Sequence, residues 1–104
     1  MKTRIYLDNA ATTRTAQEVV DAMLPYFTES YGNPSSIYEL GQRSKEAITN
    51  AREEIARVIG AKTEEIYFTG GGSEADNWAI KAAYEAYKNK GNHIITTKIE
   101  HHAV

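Results

Sequence analysis

Ten consecutive residues, Phe68-Thr69-Gly70-Gly71-Gly72-Ser73-Glu74-Ala75-Asp76-Asn77, hold the densest chemistry of this 104-residue chain. They read as the end of a short buried strand, a glycine loop and the capped start of a helix. That order builds an anion site. The first-turn N–H groups of a helix have no acceptor of their own, and the macrodipole places about half a positive charge beside them. Glycines let the backbone come close to a phosphate, and Ser73 offers a hydroxyl as well as a helix cap. The ligand expected here is a phosphorylated cofactor or substrate.

A second group, Glu100-His101-His102, follows the run His93-Ile94-Ile95-Thr96-Thr97. Ligands of parallel sheets lie beyond the carboxyl ends of the strands, so the glycine loop and these histidines can share one site. Each feature also has an ordinary reading. A glycine turn between strand and helix can be purely structural, and a histidine after a strand is commonly a surface or packing residue. Their common placement favours the site.

Three chemistries compete for the loop. A Walker-type loop needs a lysine and then Ser or Thr after its last glycine, whereas Gly72 is followed by Ser73 and Glu74. A dinucleotide fingerprint is formally present as Gly70-x-Gly72-x-x-Ala75, but the tip of the next strand carries Thr97-Lys98 and reaches an acid only at Glu100. The third chemistry is a single phosphate held at the helix start, as in pyridoxal-phosphate enzymes. His93, His101 and His102 do not suggest a metal site: adjacent histidines on extended backbone diverge, and the chain has no cysteine.

These residues need elements to position them. The stretch Glu65–Thr69 and the run 93–97 read as strands, and Ser73 to about Asn89 as the helix between them, closed by Gly91. Strand, glycine loop, helix, strand is a βαβ unit of an α/β fold with parallel strands. Ala75, Ala79, Ala82 and Ala86 give that helix a small-residue side for close packing. Upstream, Ile5-Tyr6-Leu7 reads as an extended arm that leads into Asp8-Asn9 and Ala10-Ala11-Thr12-Thr13. Thr15 with Glu18 forms a capping box, and Val19, Met23 and Phe27 make a stripe that Pro25 interrupts. The segment Tyr31-Gly32-Asn33-Pro34-Ser35 reads as a loop. Ser36 with Glu39 is a second capping box, opening a long helix with Leu40, Ala47, Ala51, Ile55 and Val58 near one face. Gly41 weakens its start, and Gly60 stops it.

Composition excludes several classes. Twelve basic and 14 acidic residues give a net charge of -2 without a block of one sign, which argues against nucleic acid as a partner. No apolar run approaches the ~20 residues of a membrane span, and no signal-peptide core follows Met1-Lys2-Thr3-Arg4. A cytoplasmic location is expected. Zero cysteines leave no disulfide and no thiol nucleophile within these residues.

Taken together, these motifs resemble the N-terminal portion of the cysteine desulfurases, pyridoxal-phosphate-dependent enzymes of the class V aminotransferase fold. The resemblance runs almost end to end: Tyr6-Leu7-Asp8-Asn9-Ala10-Ala11-Thr12-Thr13, Met23-Leu24-Pro25-Tyr26-Phe27, Tyr31-Gly32-Asn33-Pro34-Ser35-Ser36, the loop Phe68–Ala75, and His93–Thr96 with Ile99–Val104. Arg14 stands where a proline is common, Tyr38 where a histidine is often found, Gly70 where a serine is common, and Ser73 where threonine is usual.

The resemblance implies an aspartate aminotransferase-like fold in which residues 1–14 form an N-terminal arm and 15–104 the first, incomplete part of the large domain. It implies pyridoxal 5'-phosphate as cofactor, with Gly72 and Ser73 on its phosphate and His101 stacked on its ring and moving protons. Ala11 and Thr12 lie on the substrate side. It further implies L-cysteine as substrate, sulfur-acceptor proteins as partners and a homodimer. The cofactor-binding lysine and the persulfide-carrying cysteine fall beyond residue 104, so the segment alone is expected to be inactive. A selenocysteine lyase, an aminotransferase of small amino acids, or a non-catalytic or split subunit are the alternatives.

Overall fold

The computed structural model describes residues 5–104, so the first four positions of the expected arm lie outside it. In chain order it contains α1 (Gln17–Met23), α2 (Pro25–Thr28), α3 (Glu39–Ile59), a 3-10 turn (Thr63–Glu65) and α4 (Gly72–Tyr87). Pro25 divides the first helical stretch as its missing N–H requires: α1 ends two residues before it, and α2 takes it as its first residue. Neither expected capping box forms. Ala16 and Tyr38 are the N-caps of α1 and α3, with no side-chain cap at either, because both helices start later than the Thr15 and Ser36 signals require.

Gly60 ends α3 in the left-handed conformation (φ 71°, ψ 28°), and its N–H donates to Ala56 O. Helix α4 stops at Tyr87, four residues short of Gly91, and Lys90 N–H closes a final turn on Tyr87 O at 2.7 Å.

Gly41 has a positive role in place of the expected weakness. The loop 30–36 lies directly on the first turns of α3, and a Cβ at Gly41 would come within 2.5 Å of Asn33 O and 2.7 Å of Ser36 O. Gly32 meets Leu40 in the same way from the loop side. Gln42 Nε2 donates to Ser36 O at 2.7 Å, Ser44 Oγ reaches Ser30 O at 3.3 Å, and Asn33 Oδ1 accepts Ser35 N–H at 2.9 Å.

The buried side of α3 therefore carries Gly41, Ser44 and Ala56. It lies roughly a quarter turn from the apolar face of Leu40, Ala47, Ala51, Ile55 and Val58, at about 100° per residue. Val58 is 74% exposed.

Beyond α3 the chain is held by side chains. Glu65 Oε2 accepts Lys62 N–H at 2.8 Å, the Arg52 guanidinium lies 5.1 Å over the Phe68 ring, and Tyr67 meets Trp78 of α4 edge-on at 5.1 Å and 62°. The last two contacts seat the segment before the glycine loop between α3 and α4.

The βαβ expectation is not met in hydrogen bonding. Ile66 is extended (φ -97°, ψ 122°), yet no backbone hydrogen bond joins residues 65–69 to 93–97, and no strand is present among the described residues. A ladder needs a partner strand at about 4.8 Å with its N–H and C=O groups paired, and these two segments exchange no such bond.

Replacing Gly41 by Ala should destabilise the intact protein by about 1–3 kcal/mol in urea unfolding, since loop and helix must part to admit the methyl. Gly91→Ala, where a Cβ meets nothing within 4 Å, is the control and should change stability by no more than about 0.5 kcal/mol.

Candidate functional site

Helix α4 starts at Gly72, and its N-cap is Gly71 in an extended conformation (φ 166°, ψ 174°). Ser73, expected to cap, is instead the second helical residue. The stabilising contacts come from the flanks. Glu74 Oε2 accepts Gly70 N–H at 2.7 Å, and Thr69 Oγ1 donates to Gly71 O at 3.1 Å. A glutamate three residues past the N-cap thus reaches back over the loop, to the N–H one residue ahead of the one a capping box would engage.

The N–H groups of Gly72 and Ser73 consequently have no backbone acceptor among the described residues. Space around them is open, for a Cβ placed on Gly71 or Gly72 would meet nothing within 4 Å. Two free N–H groups, a serine hydroxyl and the positive end of a 16-residue helix form a donor set for phosphate oxygens. The Glu74 carboxylate is engaged by Gly70, so it leaves those donors free. The residues present fit a phosphate group.

The C-terminal histidines are tied to this helix by a residue that motif reading quoted without giving it a role. Asn77 Nδ2 donates to Ser73 O at 3.0 Å and to Ala103 O at 3.0 Å. Ala103 N–H in turn donates to His101 Nδ1 at 3.2 Å, and Val104 N–H to His101 O at 3.0 Å. A chain of hydrogen bonds therefore runs from the Ser73 turn through Asn77 and Ala103 to the His101 imidazole. Accepting at Nδ1 leaves the neutral ring with its proton on Nε2. His102 lies against His101 at 4.0 Å between centroids with 35° between planes, and Thr97 Oγ1 donates to Glu100 Oε1 at 2.9 Å.

Ser73 and His101 are thus brought to one end of α4. Ala11 and Thr12 are not joined to them. Their N–H groups close a turn on Asp8 O at 3.1 and 3.4 Å, both are exposed, and no hydrogen bond links that turn to the glycine loop among the described residues. The side of α4 bearing Ala75, Ala79 and Ala82 faces the segment 65–69 across an open groove of about 480 Å³. His93 lines a different groove, with Tyr84 and Tyr87 at the far end of α4. Among the described residues no three His, Asp or Glu side chains gather as metal ligands, and no helix is long and apolar enough to cross a membrane.

Sequence reasoning missed Glu74 and Asn77 as structural actors. The available signal was spacing: Glu74 stands three residues after Gly71, and Asn77 lies one helical turn after Ser73.

The family described as Aminotransferase class-V matches residues 5–104. A cysteine desulfurase IscS of Methanosarcina thermophila is 61% identical over 100 residues, covering 96% of this chain and 25% of that protein. One from Clostridium botulinum is 56% identical over 104 residues, covering 100% of this chain and 26% of that protein. Among solved structures, a NifS-like protein superposes with a TM-score of 0.87 at 40% identity, over 97% of this chain and 28% of its own. The chain spans about a quarter of the length of these relatives.

Replacing Glu74 by Ala should release Gly70 N–H and speed its hydrogen exchange about tenfold or more, the equivalent of one hydrogen bond to a charged group. Unchanged exchange at Gly70 would show that the loop holds its form without the carboxylate.

Proposed function

This chain belongs to the aminotransferase class-V family, and from that membership we propose that it is the N-terminal segment of a pyridoxal-phosphate-dependent cysteine desulfurase. Residues 1–14 act as the arm, and 15–104 as the first part of the large, cofactor-binding domain. The whole enzyme removes sulfur from L-cysteine, leaves alanine, and carries the sulfur as a persulfide on a cysteine outside this segment. It then passes the sulfur to acceptor proteins for iron–sulfur clusters or thiolated products. We place it in the cytoplasm as a homodimer.

The observation that carries this reading is the hydrogen-bonded path from Ser73 through Asn77 to the His101 segment. It ties a phosphate-type donor set to an imidazole at one end of α4, which supports a phosphorylated aromatic ring as the ligand. Pyridoxal phosphate supplies an electron sink for bonds at the amino acid's α-carbon. This chain supplies the hold on it. Gly72 and Ser73 N–H groups with the Ser73 hydroxyl bind the phosphate, and the helix end stabilises its charge. His101 stacks on the ring, donates a hydrogen bond from Nε2–H, and moves protons by passing between imidazole and imidazolium. Ala11 and Thr12 line the substrate side.

Two variants of the full-length enzyme test these roles. Ser73→Ala should weaken cofactor binding about tenfold, read as cofactor retained on dialysis, through loss of one charge-assisted hydrogen bond; full retention would sink the phosphate assignment. His101→Ala should shift the absorption of the bound cofactor and slow cysteine turnover about 100-fold. A normal spectrum with a normal rate would remove His101 from the site.

A further inference from the structure

We propose that Asn77 is a positioning residue that sets the distance between the phosphate-holding turn and the His101 imidazole, an inference that rests on the reading of Ser73 and His101 above. Its amide nitrogen meets two carbonyl oxygens, Ser73 O and Ala103 O, each at 3.0 Å. Two acceptors require two N–H donors on one atom, which a side-chain amide provides and a carboxylate of the same shape does not. The acceptors also fix which end of the amide is nitrogen.

One acceptor belongs to the first turn of α4; the other, Ala103 O, lies 26 residues after Asn77 in sequence. Ala103 is itself bound to the ring, since its N–H donates to His101 Nδ1 at 3.2 Å. Asn77 is therefore two hydrogen bonds from the imidazole on one side and one from the Ser73 peptide on the other. Asparagine is a poor helix former that favours caps and turns, yet here it is the sixth residue of α4. Its use inside a helix is accounted for by this bridge. The span it fixes runs from a phosphate-binding turn to a ring-stacking histidine, the two ends of a phosphorylated aromatic ligand.

The test uses Asn77→Asp, which keeps the shape but turns a carboxylate toward two carbonyl oxygens, in the full-length enzyme. In the cofactor-free protein, amide exchange across residues 101–104 should quicken about tenfold, as expected for a lost hydrogen bond. In the loaded enzyme the cofactor absorption should shift as it does in His101→Ala, and turnover should fall about tenfold. Combined with His101→Ala, the substitution should cause no further loss, because Asn77 acts through that ring.

Unchanged exchange at 101–104, or losses that multiply in the double variant, would overturn the proposal. If Asn77→Asp does not fold, Asn77→Ser, which retains one donor, carries the same cycle with an intermediate effect expected. A normal spectrum in His101→Ala alone would instead overturn the underlying reading, while the exchange measurement on cofactor-free protein still judges the bridge.

Discussion

A helix cannot satisfy the N–H groups of its own first turn, and the start of α4 is organised around that constraint. At α4 the Glu74 carboxylate satisfies Gly70, just ahead of the helix, and the next donors, on Gly72 and Ser73, face open space. A water molecule can meet them in isolation, but a dianion meets them better, since the helix dipole and the N–H groups act in the same direction. The glycines follow from this. Side chains at 71 and 72 would meet no protein atom, so the space in front of these donors is open.

The second constraint is burial. The accessible surface is 9742 Å², against roughly 5,800 Å² for a compact chain of this mass. The radius of gyration is 19.0 Å, against about 13 Å for a folded domain of this length. Ala56 is the one buried hydrophobic side chain among the described residues. What holds these elements in place is a handful of individual contacts: the interlock of Gly32 and Gly41, the Arg52–Phe68 and Tyr67–Trp78 contacts, and the Asn77 bridge. The surface ion pairs Arg43–Glu39, Arg57–Glu54 and Lys88–Glu85 are exposed neighbours along single helices and add little.

Legibility in the sequence divided along the same line. Features set by one residue's own backbone were readable: the break at Pro25, the left-handed stop at Gly60, the loop through Asn33-Pro34, and the helix after the glycine loop. Features set by partners were not. Thr15 and Ser36 have the composition of capping boxes, but the helices start beyond them. The stripe through Ile55 and Val58 has the right period, yet the loop 30–36 packs on Gly41 and Ser44 because only there can two backbones touch. Residues 65–69 and 93–97 have the composition of strands and no ladder, because a strand is a relation between segments. At the site, Gly72, Ser73 and His101 stood out by type, whereas Asn77 is recognised by the two carbonyls it joins.

The open body of this segment also bears on how copies of it behave toward one another. Phe27, Ile37, Ile95 and Ile99 are all exposed. Apolar surface of this kind is removed from water by whatever comes to lie on it, and where nothing else does, copies of the segment offer it to each other. The glycine interlock at α3 needs no such cover, because there backbone meets backbone within the segment itself.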